Sequence, residues 1–275
     1  MFRKRNHTFM KNESTNARIL MVIPTLGERI DYLRLTLDSI KKQSNVTYDI
    51  VMIYPLKNKE AAKLAKEYGA ISVEDPGSIS SAVNAGIAQA KPHHEYIGWI
   101  GDDDLISQES LSTAIGMLDQ KPKAVVAFGY CDYIDSDGKK IFTSRAGNIA
   151  PWLMTWGPNL VPCPGAVFRT SALKKVGEFD EENKYSMDLD MFLRLRKIGK
   201  FINTKRVQAS FRWHPTSTTV ANRDKSLKET EQVKRKHLHK FLRPFSPLWE
   251  IPVRLATRVA AKRVNIMAKD LSKPR

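Results

Sequence analysis

The feature that most limits the folds open to this 275-residue chain is an alternation of short apolar runs with amphipathic stretches between residues 18 and 73. Arg18-Ile19-Leu20-Met21-Val22-Ile23-Pro24-Thr25 reads as a strand that Pro24 stops. The loop Thr25-Leu26-Gly27-Glu28-Arg29 then leads into a helix with Ile30, Leu33, Leu35, Leu37 and Ile40 at roughly helical spacing. Tyr48 to Tyr54 is a second apolar strand, Lys57 to Tyr68 a helix rich in Ala, Lys and Glu, and Ile71 to Val73 a short third strand. Strand, helix, strand, helix, strand is the pattern of a parallel sheet with crossover helices. Ser80 to Ala90 continues as a helix of small residues, able to pack closely on the sheet or approach a ligand.

The next apolar run, Tyr96-Ile97-Gly98-Trp99-Ile100, stops at Gly101 and releases three consecutive acids, Asp102, Asp103 and Asp104. Ligands of open α/β sheets sit at the carboxyl ends of strands, which is where these acids fall. Adjacent carboxylates repel one another, so a shared site needs a cation or hydrogen-bond donors. Oxygen-only ligands fit a hard divalent ion, Mg²⁺ or Mn²⁺, bridging to a substrate phosphate. The same triplet also suits a solvated turn capping a helix expected over Ser107 to Leu118, and by itself it leaves both readings open.

Beyond this point the pattern changes towards a mixed sheet. Ala124 to Tyr130 reads as a strand and Tyr133 to Ile141 as a hairpin about Asp137-Gly138. Pro162 to Phe168 is a rigid loop running into a strand, and Thr170-Ser171 are placed to cap a short helix over Ala172 to Val176. Tyr185 to Ile198 reads as a helix whose first turn carries Asp188 and Asp190. An acid there serves either as a reactive group or as a partner of the helix dipole.

The formal charge of +16 raises the question of nucleic acid, and its distribution answers it. Residues 1–17 contribute +3, residues 221–275 contribute +10 from 15 Lys/Arg against five acids, and the long middle only +3. A near-neutral core without a reader motif argues against nucleic-acid binding. The tail holds a charged helix, Lys225 to Phe241, interrupted by Pro244 and Pro247, and a second over Leu248 to Leu271. There Leu248, Trp249, Ile251, Leu255, Val259 and Ile266 mix with Arg254, Arg258, Lys262 and Arg263. Such a helix suits peripheral contact with an anionic membrane through 245–271, and equally suits packing on the catalytic part or another subunit.

No apolar run reaches the ~20 residues a membrane span needs, and the basic start has no apolar segment behind it. Cys131 and Cys163 lack metal-ligand spacing and read as small buried thiols. A cytoplasmic location follows, peripheral on the inner face of the cell membrane if the tail binds lipid. The expected organisation is a loose basic arm over 1–17, a catalytic domain over 18–220 and a basic helical tail over 221–275.

Taken in order, these segments resemble a family 2 glycosyltransferase of the GT-A fold. The matching pieces are Val22-Ile23-Pro24-Thr25, Ser81-Ala82-Val83-Asn84-Ala85-Gly86-Ile87, Trp99-Ile100-Gly101-Asp102-Asp103-Asp104, Pro164-Gly165-Ala166-Val167-Phe168-Arg169, Val176-Gly177-Glu178-Phe179-Asp180, Met187-Asp188-Leu189-Asp190-Met191-Phe192 and Phe211-Arg212-Trp213-His214-Pro215. The resemblance implies a Rossmann-like, mixed but mostly parallel sheet flanked by helices, with the helical basic tail appended. It also implies an inverting transfer from a nucleotide-sugar donor to a glycan or lipid-linked acceptor, with Mn²⁺ or Mg²⁺ as cofactor.

By position in the motifs, Pro24, Thr25 and Glu28 match the region facing the nucleotide base. The Asp103-Asp104 pair matches the metal and ribose end, with Asp104 as the metal ligand and Asp102 counted with Asp103 among the cofactor-binding residues, and Asp188 matches the base that deprotonates the acceptor. His214 matches a histidine near metal or diphosphate, with a plain hydrogen-bonded loop residue as its alternative. Asp190 points elsewhere on the helix, to a structural or acceptor-side contact. The chain departs from the family at Ile53-Tyr54-Pro55-Leu56, where relatives carry a nucleotide-binding acid. Val83 replaces an arginine, Gly101 the first motif acid and Met187 a glutamate. These departures sustain a second reading, a catalytically impaired sugar-nucleotide-binding scaffold at the membrane. Gln208 to Trp213 also looks like the Gln-x-x-Arg-Trp motif of processive synthases, with one residue too many, so single-sugar transfer is expected.

Overall fold

The computed structural model describes residues 16–214, 217 and 221–271, so nearly all of the expected basic arm lies outside the described residues. The alternation read from the first segments folds as expected. Strands β1 (Ile19–Pro24), β2 (Tyr48–Tyr54) and β3 (Ile71–Glu74) are joined by helices α1 (Ile30–Lys41) and α2 (Lys59–Glu67). Strand β1 pairs in parallel with β2 on one side and with β4 (Tyr96–Trp99) on the other, Val22 lying opposite both Val51 and Trp99. Pro24 therefore ends an interior strand, not an edge strand. All six residues of β1 are buried, alternate ones feeding different cores: Leu20 and Val22 on one face, Ile19, Met21 and Ile23 on the other.

Helix α3 (Ile79–Ile87) crosses close over β1 and β2. A methyl group on Gly86 would overlap Val22 Cγ1 and stand 2.7 Å from Ile53 Cδ1. Asn84 exchanges two 2.9 Å hydrogen bonds with the backbone of Phe179. Gly86 thus serves the packing of helix on sheet, and Asn84 ties α3 to the loop that carries Phe179.

Among the described residues nine strands form one sheet, in the order β3-β2-β1-β4-β8-β6-β9-β5 with β7 beside β6. Here β5 is Leu105–Ile106, β6 Ala124–Ile134, β7 Lys140–Ser144, β8 Val167–Arg169 and β9 Lys200–Arg212. The hairpin falls where Asp137-Gly138 placed it, joining β6 to β7. Strand β9 was not expected, because its Lys, Asn, Thr, Arg and Gln residues show no apolar alternation. It is made by its neighbours, running parallel to β6 and antiparallel to β5.

The same pairing delays helix α4, which covers Ser110–Gln120 because the Ser107 N–H is taken by the Gln208 carbonyl at 2.9 Å. Helix α6 (Thr170–Val176) starts at Thr170 without a side-chain cap. The Thr170 N–H is met by the Glu95 carbonyl at 2.9 Å, which makes Thr170 the first helical residue and leaves the expected Thr/Ser cap unformed.

After the short α5 (Ala150–Leu153), α7 (Met187–Arg196) and β9, the tail forms α8 (Arg223–His237), a 3-10 turn (Lys240–Phe245) and α9 (Pro247–Leu271). These helices pack against the body and against each other. Asp190 takes His237 at 2.7 Å and Arg194 at 2.8 Å, the structural role open to it. Arg254 makes a forked pair with Glu231, both bonds 2.7 Å. Trp249 packs edge-on to Trp156, ring centroids 5.0 Å apart. Among the described residues no helix is long and apolar enough to cross a membrane.

Candidate active site

Because β1 and β4 run side by side and end together, the loops after them meet. The Thr25 hydroxyl donates to Asp102 Oδ2 at 2.6 Å. Arg29, just before α1, reaches across with Nη2 2.5 Å from Asp102 Oδ1 and Nη1 2.8 Å from Asp103 Oδ2. His214 Nε2 lies 2.8 Å from the same Asp103 oxygen. The Arg212 N–H donates to Asp104 Oδ1 at 2.9 Å, and its guanidinium donates to the carbonyls of Asp103, Asp135 and Ser136. That side chain is fully buried and lies over the Tyr32 ring, 4.4 Å from its centroid.

These contacts sort the three acids. Burial pushes Asp102 upward, against the pull of Arg29 and Thr25. Burial also opposes the charge on Asp103, but the His214 hydrogen bond and Arg29 outweigh it, and the pKa lies below the usual carboxylate value. Asp104 is pushed well upward by burial and then by Asp103. A side chain on Gly101 would begin 3.0 Å from Asp103 Oδ1 and 3.7 Å from Asp104 Oδ2, so these two oxygens border one small space. Neither accepts a hydrogen bond among the described residues. Two oxygens facing one space, one of them on an acid that burial keeps from ionising unaided, suit a hard divalent cation.

Asp188 has no cation beside it. Its Oδ1 accepts the Leu189 N–H at 2.8 Å and its Oδ2 a bond of 3.3 Å from Asn159. Burial raises its pKa to about 6, backbone hydrogen bonds working against the rise and Glu229 adding to it. The loop before Asp188 is held from the tail. Glu229 on α8 accepts the N–H groups of Lys184, Tyr185 and Ser186 at 3.1, 2.6 and 2.7 Å, and the Ser186 and Thr230 hydroxyls lie 2.8 Å apart.

Arg29, Asp103, Asp104 and Asp188 all line one cavity of about 440 Å³. The segment 158–164 and the tail residues Arg223, Thr230, Lys234, Arg254 and Thr257 complete its wall. Both cysteines line it too, free and with thiols raised by burial. Pro24, Thr25, Asp102 and His214 stand behind this wall, while Glu28 is exposed on its loop and does not reach the cavity. Sequence reasoning missed Arg29, Arg212 and Glu229. Two signals bore on Arg212, the family piece Phe211-Arg212-Trp213-His214-Pro215 and the near-match to Gln-x-x-Arg-Trp, but neither gave it a role. Gln208 serves packing, accepting from Ser110 at 2.6 Å and donating to Thr204 at 2.9 Å.

A second group of ligand-type residues, Asp49, His93 and His94, clusters where β2 and β4 begin, at the opposite ends of these strands. The Lys91 N–H donates to His94 Nδ1 at 2.9 Å, which places the ring proton on Nε2, aimed at Asp49 Oδ2 at 3.0 Å. That nitrogen donates to Asp49, so His94 ties β2 to the turn before β4.

The family model described as glycosyl transferase family 2 matches residues 21–177, more than half of the chain. The chain belongs to glycosyl transferase family 2. Two uncharacterized glycosyltransferases, from Rickettsia typhi (strain ATCC VR-144 / Wilmington) and Rickettsia prowazekii (strain Madrid E), are 24% and 23% identical over 227 residues. Each alignment covers 76% of this chain and 68% of the relative.

Among solved structures, S. aureus TarS 1-349 in complex with UDP-GlcNAc is similar with a TM-score of 0.60 at 15% identity, over 83% of this family 2 chain and 73% of that one. The TarS structure with the longer chain matches with a TM-score of 0.57 at 16% identity, and the matched part is 44% of its length. The fold is thus the mixed α/β GT-A type, and the chain is a glycosyltransferase spanning less than half of that longer relative.

Proposed function

We infer that this glycosyltransferase moves one sugar from a nucleoside diphosphate sugar to an acceptor hydroxyl with inversion, in the synthesis of a surface polysaccharide or glycolipid. One observation carries the reading: the paired oxygens of Asp103 and Asp104 and the cation-free Asp188 open into the same cavity of about 440 Å³. That volume is of the size small-molecule sites require. Its two acidic regions differ in their neighbours, Arg29 and His214 pairing with the first and Asn159 with a backbone N–H meeting the second.

In this reading Asp188 takes the proton of the acceptor hydroxyl as that oxygen attacks the anomeric carbon, and the nucleoside diphosphate leaves from the other face. A pKa near 6 leaves Asp188 ionised at neutral pH yet basic enough to accept a proton. Asp103 and Asp104 would hold Mn²⁺ or Mg²⁺, which would neutralise charge on the leaving diphosphate. Arg29 lines the same wall and offers a guanidinium to the diphosphate, a role for which Val83 is unsuited. Thr25, Asp102 and His214 act from behind the wall, through Arg29 and Asp103, and Pro24 ends the strand that presents Thr25. The TarS complex with UDP-GlcNAc supports a nucleotide-sugar donor of this general kind.

The experiment is release of free nucleoside diphosphate from a panel of uridine, guanosine and thymidine diphospho-sugars with Mn²⁺, for the parent chain and Asp188→Asn. Turnover with one donor, lost in the variant while donor binding persists, supports the transferase. Donor binding without release in the parent would favour the scaffold reading, for which the ion pairs of Arg29 across Asp102 and Asp103 are the supporting observation.

A further inference from the structure

Helix α9 has two working faces. Its inner face carries Glu250, Arg254, Thr257 and Ala261, spaced by four, three and four residues, and packs towards the body. Val253, Arg254 and Thr257 of this side line the active-site cavity. Leu248, Leu255, Val259 and Ile266, spaced by seven, four and seven, fall on the opposite side and are 75, 55, 55 and 52% exposed. At ~1.5 Å per residue this apolar stripe runs about 27 Å. Just before the helix, Phe241 and Phe245 are exposed as well. Lys262 and Arg263 flank the stripe, exposed and without an ion-pair partner among the described residues. Trp249, which composition would offer as the membrane anchor, packs inward on Trp156.

We propose that the outer face of α9 docks the enzyme on an anionic lipid surface, so that the cavity wall on the inner face of the same helix is held beside the bilayer. Charge complementarity decides the occupant. The tail carries 15 Lys/Arg against five acids, and an apolar stripe rimmed by cations is the pattern of a helix lying in the headgroup region. With one helix diameter, about 10 Å, between lipid and cavity, a lipid-linked acceptor reaches Asp188 without leaving the membrane. That last consequence rests on the transferase reading; the docking does not.

The test is flotation of the full chain with vesicles of phosphatidylcholine alone or mixed with phosphatidylglycerol, at low and high salt. The parent should float with the anionic vesicles and less so as salt rises. The pair Leu255→Asp and Val259→Asp should weaken flotation by about tenfold or more, since charges replace the inserted side chains. Lys262→Glu with Arg263→Glu should abolish the preference for anionic vesicles. Both variants should unfold like the parent, because the four side chains are exposed. A parent that stays with the soluble fraction, or an L255D/V259D variant that floats equally well, would overturn the docking. So would a parent dimer in sedimentation that L255D/V259D converts to monomer, since the occupant would then be a second copy. Nucleotide release in lipid-free buffer should be equal in all three forms. Its absence from the parent would sink the transferase reading, while flotation would still decide the docking.

Discussion

The two acidic regions of the cavity are held in opposite ways. Asp102 to Asp104 are cross-braced by Arg29, Thr25, His214 and Arg212, all supplied by segments at the carboxyl ends of β1, β4 and β9. Among the described residues Asp188 is hydrogen-bonded by an asparagine and a backbone N–H, with Glu229 beyond. The difference teaches that bracing holds a carboxylate charged only where it outweighs burial. Asp103 alone ends below its ordinary value, through His214 and Arg29, while burial still raises Asp102 and Asp104, as it raises Asp188 against its backbone hydrogen bonds.

The contrast is broken most severely by Asp188→Asn, which removes the proton acceptor without removing the side chain's shape. Turnover should fall by about 10²–10⁴-fold with donor affinity retained. The folded protein should not be weakened at neutral pH. Asp188 has its pKa raised on folding, so its contribution favours the fold below the unfolded carboxylate value and is lost as pH rises through about 6. Asparagine forgoes that loss, and a thermal melt at pH 7.5 should be unchanged or higher.

Next in size, Asp104→Asn should lower turnover by roughly 10²-fold, a loss of about 3 kcal/mol of transition-state stabilisation, and weaken Mn²⁺ binding measured by titration. Chelation of the parent should reproduce the loss, with recovery on adding Mn²⁺. Activity unaffected by both treatments would remove the metal from the proposed function.

Arg29→Ala sharpens the comparison from the stability side, because it strips a cation from the braced region. We expect a loss of about 1–3 kcal/mol in urea unfolding, less than the ~3–5 kcal/mol of a fully buried pair because the guanidinium is a third exposed. Arg29→Ala and Asp188→Asn should therefore move stability in opposite directions, and equal destabilisation by both would contradict the electrostatic contrast.

The pH profile of kcat/KM should show an acid limb near pH 6, activity rising as Asp188 loses its proton. A limb near pH 4 would mean that the reacting acid is one of ordinary pKa. Glu229→Gln is the smallest change. It keeps an acceptor for the backbone N–H groups but removes a negative charge near Asp188, so the limb should move down by a few tenths of a pH unit, or ~0.5 kcal/mol. Glu229→Ala should instead lower kcat with the loop released. A limb unmoved by the glutamine variant would reduce Glu229 to a structural prop.

What could be read in advance followed physical range. The parallel half of the sheet was legible because Leu20, Val22, Val51 and their neighbours sit in apolar runs separated by helical patterns. The acidic loop was legible because three carboxylates after a buried strand demand compensation. Arg29 was not, since an arginine in a polar loop looks solvated until β4 brings Asp102 to it across 73 residues. Strand β9 was hidden for a related reason: its backbone is satisfied by β5 and β6, so its side chains need not alternate. Thr170 lost its expected capping role because the helix begins one residue earlier than a Thr170 cap allows, with Arg169 at its N-cap and the Thr170 N–H held by Glu95.

The sequence by itself determined the strand and helix alternation, the place of the acids at a strand's end and the basic character of the tail, because each depends on residues within a few positions of one another. Only the tertiary structure decided which cation faces which acid, that Glu28 stays outside the cavity, and that a glutamate of the tail holds the loop before Asp188. Those outcomes depend on through-space desolvation and hydrogen-bond geometry, which fall off over a few ångströms and bear no relation to distance along the chain.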